Sequence, residues 1–568
     1  MSRNRPDVQL TQPPSREVHL LDQAEAAENR GAVQIHDPFL KRVLVEGMKD
    51  AWSWIEAEKL AVGCKDLGAG GLGGASSELV MAGGFGAEID LERVPAGLPD
   101  LAPHELLCGE TQERFVWAVP ERVAAEFCAI WNEQYELARV YPHAAAAIIG
   151  RVIEEPVYRC RWRGDLVVEL SNLALETLPQ VARPMTVAAV REGAEPLELD
   201  APRDWQDWAA RRLRGWNAAS RAPVYRFYDP EVQGLAFLRP GEGSASVLRP
   251  IPGEALGVAV SVDGNPHYGE LDPYYGGALA VVESVRNVAA TGARPLCLTD
   301  CLNFGNPQDP VALGELDAAL RGMADACRAI GAFAHGTESL PVVSGNVSLY
   351  NFSAAGRSIP PSPIVACYGV LDDYGRALTP RLKSEGAILL VTGRRERVWV
   401  DRERTADAPP RGRVPRPELL AEAQEIRAFL SLAEAGLVSS AIDIADGGLL
   451  AALFEMTMGE EQAHGLSVEL DFDRFRSTGL APHEILASES PGFVLEVGDE
   501  QLEAVRRQLT DAAVEFVVAG RVIVGSRLRL RAEGREIGAI DFAEAHGGWA
   551  SRLEALLFHR AEHKERAR

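Results

Sequence analysis

The chain has 568 residues and a formal net charge of −24 at pH 7, so it is too long for one hydrophobic core and is expected to hold about three to four domains. The excess of acidic residues excludes a general nucleic-acid or anionic-membrane binder, because its field repels phosphate groups. Hydrophobic residues make up 46% and charged residues 25% of the chain, which is typical of globular enzymes.

Targeting segments and cysteine patterns indicate the compartment of a protein. Neither a signal peptide nor an apolar run of membrane-spanning length is visible. Eight cysteines are scattered through mostly apolar stretches. The closest pair, Cys297 and Cys301, has no second pair or histidine cluster that would complete a zinc pattern. We therefore expect reduced core cysteines in a cytoplasmic protein.

The N-terminal part begins without regular structure. Residues 1–30 are polar and lack apolar periodicity, and they are interpreted as a flexible arm. A helix is predicted after Asp37, a potential N-cap, with Pro38 in its first turn. An apolar strand at 60–64 then leads into the glycine-rich segment 65–72, and a second helix follows.

Three segments recur in the same order along the chain. The pairs are LAPHELLCGE at 101–110 with LAPHEILASE at 480–489, KDLGAGGL at 65–72 with IDIADGGL at 442–449, and IGRVI at 149–153 with AGRVI at 519–523. The first pair is identical at seven of ten positions. Matches in one order at nearly constant spacing indicate a duplicated domain.

The repeat gives the domain organisation. We name the duplicated unit B and place its copies at 31–184 and 376–546. A different domain, A, lies at 224–375, after a linker at 185–223 that contains a tryptophan-rich helix. A C-terminal helix and basic tail are expected at 547–568. The order is therefore B–A–B, whereas a chain duplicated as a whole would read A–B–A–B, so the first A domain is expected to be missing.

The two B copies diverge where chemistry would occur. The first continues with ETQER at 110–114 and the second with ESPGF at 489–493. Carboxylate, amide and guanidinium groups at close spacing suit a polar substrate. The first copy is therefore predicted to be functional and the second structural, with a surface turn in both as the alternative.

Asp66 stands at the end of a predicted strand, before glycines. Mg²⁺ suits this position, because it takes few carboxylates together with water and phosphate oxygens. A turn-forming or helix-capping role is the alternative. The glycine-rich segment is neither a Walker loop nor a dinucleotide fingerprint. His104 and His483, which occupy matching positions of the repeat, are expected to be structural, and no Ser-His-Asp or Cys-His-Glu arrangement is visible.

Two strands of the A domain are predicted to end in polar turns. One, at 341–343, runs into Ser344-Gly345-Asn346, and the other ends at Asp300. Gly345 lets main-chain N–H groups approach a phosphate, while Asn346 offers an oxygen to a cation and Ser348 a hydroxyl to a substrate. Two such strand ends would hold Mg²⁺ and a polyphosphate between them. The alternative is a plain strand followed by a turn.

Seven segments resemble the phosphoribosylformylglycinamidine synthase large-subunit (PurL) family, over about 34–545. They are VQIHDPF, KDLGAGGL, GETQER, LDPYYGGALAVVESVRN, TDCLNFGNP, VVSGNVSLYN and DIADGGL. The resemblance implies an α/β (α+β) fold of the PurM/PurL type, with a ferredoxin-like A domain flanked by two homologous α/β B domains. It also implies an ATP-dependent ligase that converts formylglycinamide ribonucleotide to its amidine in purine biosynthesis, with ammonia from glutamine.

The resemblance assigns roles to individual residues. The implied substrate-binding residues are Gln34, Glu110, Thr111, Gln112 and Ser348, the implied ATP contacts are Asp300 and Gly345, and the implied Mg²⁺ ligands are Asp66 and Asn346. Thr111 stands where the family has serine, and His36 stands where it has glycine.

The family's catalytic histidine belongs to the first A domain, so no catalytic residue is assigned in this chain. We expect a separate chain to carry that domain and to dock on the A domain, with a PurQ-like glutaminase and a small PurS-like subunit as further partners. Two alternatives stay open. One is a non-catalytic nucleotide-binding scaffold. The other is a different synthetase of the superfold, such as aminoimidazole ribonucleotide or selenophosphate synthetase, which the two unequal B copies disfavour.

Overall fold

The computed structural model describes most of the chain in two compact units. The described residues are 37–68, 70–97, 101–111, 113–177, 182–188, 197–216, 218–333, 339–352, 356–401, 411–459 and 464–558. Unit 1 spans Met1–Ala182 and unit 2 spans Arg183–Arg568. Within the described ranges, no helix is long and apolar enough to cross a membrane.

Unit 1 alternates short helices and strands. They are α1 (Pro38–Glu58), β1 (Gly63–Asp66), α2 (Gly71–Met81), β2 (Gly86–Asp90), α3 (Pro103–Cys108), β3 (Phe115–Ala118), α4 (Ala124–Ala129), α5 (Leu137–Val140), β4 (Gly150–Ile153), β5 (Val157–Trp162), β6 (Asp165–Ser171) and α6 (Asn172–Glu176). The predicted cap of α1 is confirmed, since the Asp37 carboxylate accepts the Leu40 N–H at 2.9 Å and Pro38 lies in the first turn.

The strands of unit 1 form two sheets. Strand β1 pairs antiparallel with β3, and a four-stranded sheet has the order β4-β2-β5-β6. In that sheet β2 is antiparallel to β4 and parallel to β5. Leu72 and Val80 of α2 pack with Leu106 of α3 and Tyr158 of β5 in one core. This core fixes α2 and α3 next to each other, which matters for the site below.

Unit 2 contains the A domain and the second B copy. Its helices and strands are α7 (Trp205–Leu213), α8 (Ala222–Tyr225), β7 (Ala236–Leu238), β8 (Ser246–Leu248), β9 (Gly257–Asp263), α9 (Pro266–Leu271), α10 (Pro273–Ala290), β10 (Arg294–Asn303), α11 (Pro310–Ile330), β11 (Val342–Ser348), β12 (Ser362–Leu371), β13 (Ile388–Thr392), β14 (Trp399–Val400), β15 (Gly412–Arg413), α12 (Leu419–Glu434), β16 (Ser440–Asp443), α13 (Gly448–Thr457), β17 (Leu466–Asp471), α14 (Pro482–Ala487), β18 (Phe493–Val497), α15 (Leu502–Asp511), β19 (Phe516–Val524), β20 (Arg527–Ala532), β21 (Arg535–Asp541) and α16 (Phe542–Phe558).

Six strands form what we call the A sheet, in the order β11-β10-β12-β9-β8-β7. Helices α10 and α11 cover one face, where Val281, Leu298 and Val365 belong to one buried core. Alternate residues of β12 point the other way, and Ile364 and Tyr368 there are 38% and 37% exposed. We call this the outer face of the A sheet. The described residues of unit 2 leave it open.

Seven strands form the sheet of the second B copy, in the order β16-β18-β13-β19-β17-β20-β21. Phe454 of α13 and Trp549 of α16 pack in its core with Trp208 of α7. The Trp205 indole N–H, also in α7, donates to Ile537 O of β21 at 3.2 Å. The predicted tryptophan-rich helix is therefore present, ends at Leu213, and packs on the second B copy.

The two B copies repeat one strand arrangement. Strands β1 and β3 pair as β16 and β18 do, and β4-β2-β5-β6 repeats the order and directions of β19-β17-β20-β21. In the second copy β13 pairs antiparallel with both β18 and β19 and joins the two parts into one sheet. Among the described residues of unit 1 no strand joins β3 to β4, so the described strands of the first copy form two sheets.

The turn predicted at 344–346 was wrong. Strand β11 continues through Gly345, because its parallel pairing with β10 places Gly345 opposite Asp300. The Thr299 hydroxyl also donates to Ser344 O at 2.9 Å across the pair. The strand therefore stays extended where small polar residues alone suggest a turn, and β10 likewise continues past Asp300.

Candidate functional site

Asp66 lies at the C-terminal end of β1, beside the start of β3. It is exposed and pairs with Phe115, and the next N–H, that of Leu67, donates to Arg114 O at 3.1 Å. Helix α2 begins shortly afterwards with Gly70 as its N-cap, at a φ of 77° that favours glycine. The predicted Mg²⁺ ligand thus ends a strand next to residues 109–114, which we call the first-copy loop.

Glu110 is held at the N-terminus of α2. Its Oε1 accepts a hydrogen bond from the Gly70 N–H at 3.2 Å, where unpaired helix amides favour negative charge. The approach is close because Gly71 has no side chain, and a Cβ there would lie 2.5 Å from Gly109 O. The first-copy loop and α2 therefore fix each other.

Arg114 bonds to the first-copy loop itself. Sequence reasoning grouped it with side chains that would fix a substrate. In the structure its Nε donates to Thr111 O at 3.0 Å, and its Nη2 donates to Gly109 O. The nearby Glu113 has a left-handed backbone with φ 62°. Its carboxylate is 6% exposed and lies 2.8 Å from Lys41 Nζ of α1. The charged ETQER pattern was the only sequence signal for these contacts.

The structure describes half of the predicted substrate-binding residues of unit 1. Glu110 is partly buried against α2, and Thr111 is exposed directly after it. Gln34 and Gln112 lie outside the described residues. Glu110 and Thr111 therefore lie where Gly70 and Arg114 contact the loop.

In unit 2, the predicted ATP contacts Asp300 and Gly345 are brought together. They are paired residues of β10 and β11. A Cβ on Gly345 would lie 2.2 Å from Asp300 Oδ1, so any larger residue would displace the carboxylate. Burial raises the pKa of the Asp300 carboxyl above its ordinary value.

Asn346 and Ser348 lie on the outer face of the A sheet. They are paired with Cys301 and Asn303, and side chains of neighbouring strand positions alternate between faces. The amide of Asn351 donates to Ser348 O at 2.8 Å and to its hydroxyl at 3.2 Å, a support that sequence reasoning missed. The predicted Mg²⁺ ligand and substrate contact thus project from the face opposite to Asp300.

A second polar cluster, also missed, lies where β9 of the A sheet meets the second B copy. Asn265 Nδ2 donates to Asp446 Oδ1 at 2.7 Å. Burial raises the pKa of Asp263 to about 7 and that of Asp443 to about 6. The signal available was the DGNP sequence at the end of a strand, an acid before a turn.

The predicted Mg²⁺ ligands are single oxygen donors. In the part of the chain that the structure describes, no group of three or more His, Cys, Asp or Glu side chains could hold a metal ion. Mg²⁺ usually binds through one or two protein oxygens plus phosphates and water. Asp66 in unit 1 and Asn346 in unit 2 each offer a single oxygen of this kind, so each residue by itself has the donor chemistry that Mg²⁺ accepts.

Family models match the chain in three stretches. The model for the N-terminal domain of AIR synthase related proteins matches residues 242–371. The model for the C-terminal domain of these proteins matches twice, at 15–163 and 392–533. In this chain, one domain of the first kind thus lies between two of the second.

Curated relatives align along most of the chain. Phosphoribosylformylglycinamidine synthase subunit PurL of Methanothrix thermoacetophila is 39% identical over 542 residues, which is 94% of this chain and 69% of that protein. The subunit of the same name from Aquifex aeolicus is 31% identical over 548 residues, 94% of this chain and 70% of that protein. The chain therefore spans about 70% of the length of these relatives.

Solved PurL structures also match most of the chain. Thermotoga maritima PurL complexed with ATP matches with a TM-score of 0.56 and 27% identity, over 87% of this chain and 68% of that one. The complex of that PurL with FGAR matches with a TM-score of 0.55 and 26% identity, over 87% and 66%. The PurLQS structure from the same organism matches with a TM-score of 0.57 and 27% identity, over 87% and 69%.

Proposed function

Because the chain belongs to the PurL subunit family of phosphoribosylformylglycinamidine synthase, we propose that it is the subunit of such a synthase that binds ATP and formylglycinamide ribonucleotide. The predicted family and the predicted PurM/PurL-like fold are confirmed by these matches. The reaction is that of an ATP-dependent C–N ligase. The glycinamide carbonyl oxygen takes the γ-phosphoryl group of ATP, which leaves as ADP, and ammonia then displaces phosphate at that carbon to give the amidine.

The open outer face of the A sheet carries this proposal. Exposed apolar side chains, Ile364 and Tyr368, share it with Asn346 and Ser348. A sheet with an apolar face is stable when a second layer covers that face. We propose that the layer is a second AIR synthase-type N-terminal domain, supplied by a separate polypeptide. Docking of that domain would exclude water from the polar side chains.

The roles expected from the sequence are kept as proposals. Glu110, Thr111 and Ser348 would bind the ribonucleotide together with Gln34 and Gln112, Asp300 and Gly345 would contact ATP, and Asp66 and Asn346 would hold Mg²⁺. When bound, Mg²⁺ neutralises charge that develops on the transferring phosphoryl group. The chain's own contribution is orientation, since Glu110 is fixed by α2 and Ser348 by Asn351.

Partners, location and domain boundaries belong to the same proposal. The PurLQS structure of a relative supports a PurQ-like glutaminase as the source of ammonia and a small PurS-like subunit. The cytoplasmic location expected from the sequence is kept as part of the proposal. We keep B copies at 31–184 and 376–546 around an A domain at 224–375.

ATP binding by the full chain tests the proposal. In Gly345→Ala the added methyl meets Asp300 Oδ1, and overpacking of about 1–3 kcal/mol weakens ATP affinity by about tenfold or more. Gly547→Ala is the control, because a Cβ there meets nothing within 4 Å. Titration calorimetry with Mg²⁺ measures both variants. If the unmodified chain bound neither ATP nor the ribonucleotide, the proposal would be wrong.

A further inference from the structure

The loops that follow α3 and α14 are held in the same way at one end. In the first copy, Glu110 Oε1 accepts the Gly70 N–H at 3.2 Å. In the second copy, Glu489 Oε1 accepts the Gly447 N–H at 3.3 Å. Gly70 and Gly447 both cap the following helix with a left-handed backbone. The two loops are therefore structural counterparts, and we call residues 488–493 the second-copy loop.

A guanidinium holds the other end of each loop, but the two arginines come from different parts of the chain, and Arg114 is half-buried whereas Arg395 is buried. Arg114 donates to Thr111 O and Gly109 O. Its counterpart in the repeat is Phe493, which is completely buried and stacks on Phe429. The second-copy loop is held instead by Arg395, which follows β13.

Arg395 makes contacts of the same kind as Arg114. Its Nη1 donates to Ser490 O at 2.5 Å, and its Nη2 donates to Pro491 O at 2.6 Å. Ser490 corresponds to Thr111 in the repeat, so the same loop carbonyl accepts a guanidinium in both copies. Burial lowers the pKa of each arginine to about 10. The loop carbonyl accepts a guanidinium hydrogen bond in both copies, although the arginine comes from a different part of the chain in each. The loop itself therefore requires this hydrogen bond.

The requirement has a physical basis. Carbonyl groups that converge in a tight loop need a donor with several N–H groups in fixed directions, and guanidinium supplies these where an ammonium cannot. In the first copy, the ion pair between Glu113 and Lys41 anchors the residue just before Arg114. These contacts hold the loop backbone at residues 109–111 and at residues 113–114.

We propose that Arg114 is a positioning residue for ribonucleotide binding, because it holds the backbone that presents Glu110 and Thr111. Arg395 is its structural equivalent in the copy that carries no substrate. This inference depends on the proposed function for the identity of the ligand. The arginine itself contacts the loop backbone and is not a catalytic residue.

The test uses Arg114→Lys, with Arg395→Lys as the matched variant, in the full chain assembled with its partner subunits. Lysine keeps the charge but loses the fork of donors. We expect the KM for formylglycinamide ribonucleotide to rise about tenfold in Arg114→Lys, since small misplacements of binding groups weaken substrate positioning. The KM for ATP should not change. Arg395→Lys should lower the melting temperature without changing either KM.

Amide hydrogen exchange, measured on the chain alone, is a second test of whether Arg114 holds the loop, and it needs no substrate. A peptide covering 105–115 should exchange faster in Arg114→Lys than in the unmodified chain, and the rest of unit 1 should not change. An unchanged ribonucleotide KM together with unchanged exchange in this peptide would overturn the proposal, and so would an equal rise of both KM values. If the unmodified assembly bound no ribonucleotide, the proposed function would fail, while the exchange result would still decide whether Arg114 holds the loop.

Discussion

At the scale of single residues, Asp263 ties the stability of unit 2 to pH. Its Oδ1 accepts a hydrogen bond from Asn287 Nδ2 at 3.0 Å, while its Oδ2 is buried and has no hydrogen-bond partner among the described residues. Burial is the main cause that raises the pKa of Asp263 to about 7, and the negative charges of Asp443 and Asp446 raise this pKa further. In the unfolded chain the pKa of an aspartate carboxyl is about 3.9. Between these values the folded state binds more protons than the unfolded state.

We therefore predict that stability falls as pH rises from 5 to 7 and that Asp263→Asn weakens this dependence. A single group contributes about 1 kcal/mol per pH unit in this window. Thermal unfolding of both proteins at several pH values, with EDTA present to remove divalent cations, measures the difference. Parallel curves for the two proteins would contradict the assignment.

Some single residues of the site follow from sequence and others do not. The cap of α1 at Asp37 could be predicted, because a capping acid followed by proline is a local pattern. The roles of Arg114 and Arg395 could not. Their partners are backbone carbonyls, which every residue carries, so only the folded path of the loop shows which carbonyls converge. Asn351 was missed for a related reason, since its contact with Ser348 depends on the turn that follows β11.

At the scale of elements, a buried ion cluster joins α10 of the A domain to α12 of the second B copy. Arg286 is 1% exposed and donates to Glu422 Oε2 at 2.8 Å, and its Nη2 lies 3.0 Å from Glu425 Oε2. Its guanidinium also stacks over the Phe493 ring at 4.6 Å. Arg286→Met should cost about 3–5 kcal/mol in the free energy of unfolding, because two carboxylates stay buried without their cation.

Two further variants make this prediction specific. The triple variant Arg286→Met, Glu422→Gln, Glu425→Gln should recover part of the lost stability, since no carboxylate is left buried without its cation, while the buried Arg395 loses the charges of Glu422 and Glu425. Arg211→Met breaks an exposed pair with Asp207 and should cost less than about 1 kcal/mol. Urea unfolding measures all three. Equal losses for Arg286→Met and Arg211→Met would show that the cluster is not a strong link.

Elements were predictable to the extent that they are local or repeated. The duplication and the helix after the glycine-rich segment follow from repeated and periodic sequence, and the structure shows both. The continuation of β11 through Gly345 could not be predicted, because it depends on pairing with β10, which is distant in sequence.

At the scale of the whole molecule, the B–A–B order gives unequal roles to the two B copies. The first presents Asp66, Glu110 and Thr111 around a glycine-capped helix, while the second covers its equivalent loop with the A domain. In the second copy Tyr268 of α9 donates to Glu489 Oε2 at 2.9 Å. Under the proposed function, one B copy takes part in the site together with the open outer face of one A sheet. This asymmetry supports a single site that is completed by another A-type domain.

Complementation tests this account most directly. The purified chain is assayed for amidine formation with ATP, Mg²⁺, formylglycinamide ribonucleotide and an ammonium salt, which bypasses the glutaminase. A second sample adds the part of Methanothrix thermoacetophila PurL that this chain does not cover, expressed separately. We predict turnover only in the mixture. Turnover by the chain alone, or none in a mixture that binds both substrates, would contradict the account.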